Sequence, residues 1–254
     1  MTASDELVSI IVPVWRPRRK WLTAAISSAL CQVGCSVEVV VVDDGNEVPV
    51  RELLADFEDA RLRVVERFNG GASAARNSGI AAARGAWIRF HDSDDVLEPD
   101  STRHLLDLAS GGDPTIAYGA TVLCGERLEP RSKTRCEVQG RSAERCLLGQ
   151  LDVYHQAMLF PVSVVEKTGP WDEALPVGND WDFVLRALDH APVRGDARIV
   201  FRYRMHEGSL TRDGEAWERV FPRIVEKYFD RHPQGRGTRL HRHARARVLM
   251  FRLG

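Results

Sequence analysis

The chain has few cysteines for its length, five in 254 residues (Cys31, Cys35, Cys124, Cys136 and Cys146), an odd number with no CxxC pair. That argues against a zinc ribbon or a disulfide framework and for reduced thiols in a cytoplasmic setting, with Cys31 and Cys35 expected as buried free thiols. No apolar run approaches the ~20 residues of a membrane span. The opening MTASDELVSI lacks a basic start followed by an apolar stretch, so no signal peptide is expected. An excess of one charge is lacking too. Lys+Arg 35 against Asp+Glu 36 leaves a formal net charge of -1, which gives no global argument for a nucleic-acid partner. Neither a GxGxxG turn after the first apolar run nor a Walker Lys-Ser/Thr is present, although Asn69-Gly70-Gly71 with Arg76 looks superficially like a phosphate loop. This argues against a dinucleotide-dependent dehydrogenase and a P-loop enzyme.

What is present is an alternation of strand and helix signals. Leu7 to Val14 (LVSIIVPV), Val37 to Val42 (VEVVVV), Leu62 to Val65 and Ala86 to Phe90 (AWIRF) are short and rich in branched apolar residues, as strands buried on both faces are. Between them, Trp21, Leu22, Ala25, Ile26, Ala29 and Leu30 recur at helical spacing. Val48 to Phe57 reads as a helix, and Gly70-Gly71 opens an Ala-rich helix with Gly85 as its expected C-cap. Pro99 starts a further helix. The second half is less regular: a strand over Thr115 to Leu123, a hairpin or loop over Gly125 to Gly140, a helix over Val177 to His190 and a strand over Ile199 to Tyr203 leading to His206. The pattern predicts an α/β fold with a mostly parallel central sheet and helices on both faces, in one continuous domain. In such sheets ligands bind beyond the carboxyl ends of the strands, where Trp15, Asp43, Asp44, Asp92 and Asp94 fall.

The segment RFHDSDDVLEP is the strongest chemical signal. On extended backbone, residues two apart share a side, so Asp92 and Asp94 are placed to reach one cation, with Asp95 facing elsewhere or capping the segment after it. Hard divalent ions such as Mg²⁺ or Mn²⁺ take a few carboxylates and complete their shell with water and phosphate oxygens. A bare carboxylate ~4 Å from a phosphate charge costs about 4 kcal/mol at an effective dielectric of 20, so acids facing a diphosphate imply a metal between them. A solvated Asp-rich turn capping the next helix is the other reading. Asp43 and Asp44 suit a base N–H or a ribose hydroxyl, or a simple strand-to-loop turn with Gly45. Asp180 suits projection from a helix start into a cleft, or a helix cap. Arg76 suits a ligand, or an exposed salt bridge.

Taken in order, Ile11-Val12-Pro13-Val14-Trp15, VVVVDDG, NGGASAARNSGIAAARGAWIRFHDSDDVLEPD and GNDWDFVLRAL closely resemble the family 2 glycosyltransferases, with HEGS at His206 extending the likeness. The resemblance implies a GT-A type fold and an inverting transfer from a nucleotide diphosphate sugar. By position it implies that Pro13 and Trp15 frame the base, with Trp15 replacing the more usual Tyr. Asp43, Asp44, Arg76, Asp92 and Ser93 are then donor-binding, Asp92, Asp94, Asp95 and His206 metal-binding, and Asp180 the catalytic base. Three positions depart from the pattern: His91 stands where an apolar residue is common, Asn179 where Glu is frequent, and Asn46 where Ser is usual.

The expected organisation is a glycosyltransferase unit over residues 1–235, with a nucleotide-sugar half (about 7–120) and an acceptor half (121–235). A basic tail occupies 236–254. The expected cofactor is Mn²⁺ or Mg²⁺, the donor a UDP-sugar, and the acceptor a carbohydrate, lipid-linked or small molecule, the last shaped by the irregular segments 125–140 and 149–178. The tail, with Arg236, Arg239, Arg242, Arg245, Arg247 and Arg252 and no acid, is read as a solvated helix or as a peripheral contact with anionic lipid. An inactive sugar-nucleotide-binding or membrane-surface scaffold protein of this fold and a sugar nucleotidyltransferase are the competing readings. The latter lacks support because PVWRPRRK stands where its Gly-rich loop would be.

Overall fold

A computed structural model describes residues 6–134, 138–140, 143–148, 150–207 and 214–250. Four parallel strands carry its first half: β1 (Leu7–Val14), β2 (Ser36–Asp43), β3 (Leu62–Glu66) and β4 (Trp87–Phe90), in the spatial order β3-β2-β1-β4. Val39 to Val42 and Ile10 to Val12 are fully buried because helices cover both faces of these strands, which is why the sequence reads as unbroken apolar runs there. The crossovers are α1 (Arg19–Leu30), the single turn α2 (Val50–Leu53) and α3 (Gly71–Ala82). The chain steps outward from β1 to β3 and then back past β1 to β4. Right-handed crossovers therefore set α1 and α3 on opposite faces.

Beyond β4 the sheet turns mixed. Its second half contains β5 (Val96–Leu97), β6 (Ile116–Cys124), β7 (Pro130–Lys133), β8 (Val138–Gly140), β9 (Met158–Pro161) and β10 (Val193–Arg204). Strand β9 runs antiparallel to both β4 and β6, β10 runs parallel to β6, and β5 antiparallel to β10. The mostly parallel expectation thus holds for the first four strands and for β6 with β10, and antiparallel β9 between β4 and β6 makes the whole sheet mixed. Direction matters for function: the entrance of antiparallel β9 and the exit of β10 lie at the same edge as the carboxyl tips of β1, β2 and β4. The remaining helices are α4 (Ser101–Ala109), α5 (Ala143–Leu147), α6 (Val162–Thr168), α7 (Asn179–His190), α8 (Gly214–Arg231) and α9 (Arg239–Met250).

Several local expectations change. The helix expected over Val48 to Phe57 shrinks to Val50–Leu53. Gly85 is not a cap, since α3 ends at Ala82. A Cβ there would stand 2.5 Å from the Leu7 carbonyl and 2.7 Å from the Ser9 nitrogen, so the glycine is required by a close approach to β1. Cys31 is exposed and Cys35 half-buried, because Cys31 falls just past the apolar stripe of α1; Cys136 lies outside the described residues. Among the described residues no helix is long and apolar enough to cross a membrane. The tail is a helix docked on α8. Ala244 is buried, His241 packs 4.4 Å from the Phe229 ring, and Arg236 pairs with Glu226 and Asp230. Residues 251–254, Arg252 among them, lie outside the described residues.

Candidate active site

The acids at the tip of β2 are turned toward the protein. Asp44, 2% exposed, accepts from the Arg67 guanidinium and the Gly70 N–H (3.1 Å) at one oxygen, and from Asn69 Nδ2 (2.9 Å) and the Gly71 N–H (2.8 Å) at the other. Four donors fill the lone pairs of a carboxylate, so Asp44 holds the start of α3 and offers nothing further to a ribose. Asp43 accepts from Asn46 N (3.0 Å), Asn46 Nδ2 (2.6 Å) and Val50 N (2.8 Å). Burial raises its pKa, but these N–H groups outweigh burial and hold it below the usual aspartate range. The turn depends on Gly45 (φ +78°), where a Cβ would meet the Asn69 nitrogen at 2.7 Å. Asn46, in the place of the usual Ser, also donates to the Val14 carbonyl (2.9 Å) and accepts from Arg16 N (2.6 Å), strapping the β1 and β2 tips together. Half-buried Pro13 and the Trp15 ring, 44% exposed with the Arg16 guanidinium 5.0 Å from its centre, are left as the free surface of this rim.

The acids after β4 are disposed differently. The strand ends at Phe90, and Asp92 to Asp95 form a tight turn closed by Asp95 N donating to the Asp92 carbonyl (3.3 Å). The rule for extended backbone therefore does not apply, yet Asp92 and Asp94 both stay partly exposed while Asp95 turns into the core. Asp92 accepts from Arg76 Nη2 (2.8 Å) and Gln156 Nε2 (2.9 Å). Burial pushes its pKa up, and Arg76 and His155 pull it below the ordinary value. Asp94 faces His206 Nε2 at 2.8 Å, and burial followed by the Asp92 charge pushes its pKa up. Asp95 accepts from Arg204 N (2.6 Å) and Gln156 Nε2 (2.7 Å), and burial with the charges of Asp94 and Asp92 raises its pKa well above the ordinary value. The expected metal-binding role of Asp95 meets a side chain that instead ties this turn to β10. Ser93 sits half-buried in the turn.

Asp180 reaches this cluster from the first turn of α7. Its Oδ1 accepts from Trp181 N (2.9 Å), and its Oδ2 lies 3.8 Å from His155 Nδ1, whose Nε2 lies 4.0 Å from Asp92. Arg76, buried in α3, lies over the Trp171 ring (4.6 Å) and reaches Asn179 at 3.5 Å as well as Asp92. Arg76, Asp92, Asp94, Asp180 and His206 are thus brought together, and Asp43 and Asp44 are not. Sequence reading missed His155, Gln156 and Arg204. His155 and Gln156 precede β9 in a stretch without periodicity, and only the antiparallel entry of that strand brings them to the tip of β4. Trp21, expected on the packed face of α1, lies instead under Arg18 (4.1 Å), Arg204 (4.9 Å) and His206 (4.8 Å). Gly208 and Ser209 of HEGS fall outside the described residues.

The sequence model described as Glycosyl transferase family 2 matches residues 9–167, from β1 through most of α6. The chain belongs to glycosyl transferase family 2. Succinoglycan biosynthesis protein ExoO of Rhizobium meliloti is 45% identical over 216 residues, covering 75% of this chain and 59% of that protein. An uncharacterized glycosyltransferase of Rickettsia conorii is 29% identical over 209 residues, covering 79% of this chain and 34% of its own length. The chain therefore spans about a third of the one relative and somewhat over half of the other. Among solved structures, the 1–349 fragment of S. aureus TarS in complex with UDP-GlcNAc superposes with a TM-score of 0.68 at 18% identity, over 87% of this chain and 66% of that one. That likeness shows the GT-A fold in this family 2 glycosyltransferase. The family match ends before Asp180 and His206, so their place at the site rests on the geometry above.

Proposed function

We propose that this family 2 glycosyltransferase is inverting and passes a sugar from a UDP-sugar to an acceptor hydroxyl in one displacement. One observation carries the reading: Asp180 stands across His155 from the carboxylate of Asp92, so the proposed base lies within one imidazole of the acid turn. Asp180 Oδ2 takes the acceptor proton as the acceptor oxygen bonds to the anomeric carbon. The bond from that carbon to the diphosphate breaks on the opposite side, and UDP leaves. Trp15 and Pro13 provide an exposed platform for the base, and Arg76 and Asp92 fix the donor end. Residues of about 7–120 form the nucleotide half and 121–235 the acceptor half. The UDP-GlcNAc bound to TarS supports a UDP-sugar, and ExoO, a succinoglycan biosynthesis protein, supports a glycan as acceptor.

The acid turn fits a hard divalent ion. Asp92 and Asp94 repel each other, and an imidazole and carboxylate oxygens are a donor set that Mn²⁺ or Mg²⁺ accepts. Among the described residues no group of three or more acid, His or Cys side chains is arranged to hold a metal ion, so phosphate oxygens and water would have to supply most of its shell. Asp94 would contact it, with Asp92 and His206 beside it, and when bound it supplies the positive charge that stabilises the departing diphosphate. A peripheral membrane contact has less support, because Arg236 and Arg245 of the tail already face Glu226.

Asp180→Asn tests the reading. UDP release from UDP-GlcNAc or UDP-glucose should fall by about 10²–10⁴, the usual worth of a general base, with UDP affinity unchanged. Full activity would end the assignment. Separately, UDP at a hundred times its Kd should stabilise the fold by about 2.7 kcal/mol in the presence of Mn²⁺ and much less in its absence.

A further inference from the structure

Among the described residues one oxygen of Asp180 accepts no hydrogen bond, and His155 stands against it. Oδ1 is engaged by the Trp181 N–H of its own helix, so Oδ2 is the atom that can take a proton, 3.8 Å from His155 Nδ1. The imidazole is only 6% exposed, and its other nitrogen, Nε2, has no hydrogen-bond partner among the described residues. Its ring is fixed edge-on to Trp171 (5.3 Å between centres) and packs at a tilt against Phe90 (6.1 Å). Its backbone is fixed by the short turn His155–Ala157, which Ala157 N closes on the Tyr154 carbonyl (2.9 Å). A rigid ring therefore fills the gap between a carboxylate of the strand-tip turn and the carboxylate of α7.

We propose that His155 is a positioning residue that sets where the Asp180 carboxylate sits relative to the donor end of the site; the inference rests on Asp180 being the base. The terminal torsion of an aspartate is broad, and Trp181 restrains only one of its two oxygens. Removing the imidazole leaves a ring-sized gap into which Oδ2 swings away from the acceptor. Misplacement of a reacting group by about 1 Å is worth about 10²-fold in rate. The loss belongs mainly to kcat, because His155 meets the donor end only through Asp92, at 4.0 Å, which Arg76 and Gln156 hold by hydrogen bonds of their own.

The test uses the whole chain with Mn²⁺, UDP-glucose and UDP-GlcNAc as donor probes, and water as acceptor, with UDP release and calorimetric binding of UDP as readouts. His155→Ala should lower kcat about 10- to 100-fold and leave the Kd for UDP within about twofold. In an Asp180→Asn background the same change should cost little more, as expected of residues acting through one another. His155→Asn, whose amide stands where Nδ1 stood, should keep more activity than His155→Gln, whose amide stands nearer Nε2; this ordering also decides the matter if the alanine variant does not fold. An equal loss in both backgrounds, a matching loss of UDP affinity, or Gln outperforming Asn would each overturn the proposal while leaving the base assignment standing. Full activity of Asp180→Asn alone would overturn the base assignment instead.

Discussion

Two acidic runs close neighbouring strands of the same sheet, Asp43-Asp44 after β2 and Asp92 to Asp95 after β4, and they are in opposite physical states. In the first, backbone N–H groups and side-chain donors converge on each carboxylate, so that negative charge is stabilised without help from outside the chain. In the second, three carboxylates crowd one turn, and burial followed by the charges of their neighbours raises the proton affinity of Asp94 and Asp95. Charge that the protein does not neutralise is charge left for a ligand. Similar letters in the sequence thus mark a structural tie in one place and, in the other, a turn whose charge the chain answers only in part. What separates them is the number of donors that tertiary structure supplies.

The largest effect expected from this contrast is on rate. Asp94→Asn keeps an acceptor for His206 but removes the charge, and UDP release should fall about 10³-fold, equivalent to about 4 kcal/mol. Activity within tenfold of the parent would dissolve the distinction between the two runs. Next comes Asp44→Ala, which strands two N–H groups and the Arg67 guanidinium. Its cost should be about 3 kcal/mol, visible as a lower urea midpoint, and a neutral result would mean that the first run is as free as the second.

A smaller effect concerns the floor of the second run. Burial, then the Arg89 charge, hold the pKa of the His91 imidazole down at about 3. The unfolded chain, with its histidine near the ordinary ~6.5, takes up the proton first, so stability is lost as pH falls below that value. Between pH 8 and pH 5 the loss is about 2 kcal/mol. Comparing urea midpoints at both pH values for the parent and His91→Leu isolates it. Smallest of all, Asp94→Asn should raise stability in the absence of divalent ions by no more than about 1 kcal/mol, since the group is one-third exposed and well screened. A fall in stability would show that Asp94 is structurally satisfied after all.

Much of this was legible in the sequence. The apolar runs ending in Val14, Val42, Val65 and Phe90 announced four parallel strands, and their tips announced the rim. The Asp92-Ser93-Asp94 spacing and Asp180 at a helix start picked out residues that the structure brings to either side of His155. The orientation of Asp44 was not legible, because a carboxylate aimed at a ribose and one aimed at the N–H groups of Gly70 and Gly71 are written identically. His155 and Gln156 were hidden for another reason. Their position depends on β9 entering antiparallel from an aperiodic stretch, a tertiary fact that no local pattern encodes.

Lys227 of α8 carries a consequence of its own. Its ammonium lies 2.6 Å from Asp182, a buried acid two residues past Asp180, and 2.6 Å from Asp172. Lift α8 away and Asp182 keeps only Arg186 from its own helix against a charge left in apolar surroundings. Chimeras are thereby constrained: a relative's C-terminal helices can be grafted onto this scaffold only if they bring a cation to that spot, and a graft without one should unseat α7 before it alters any choice of acceptor.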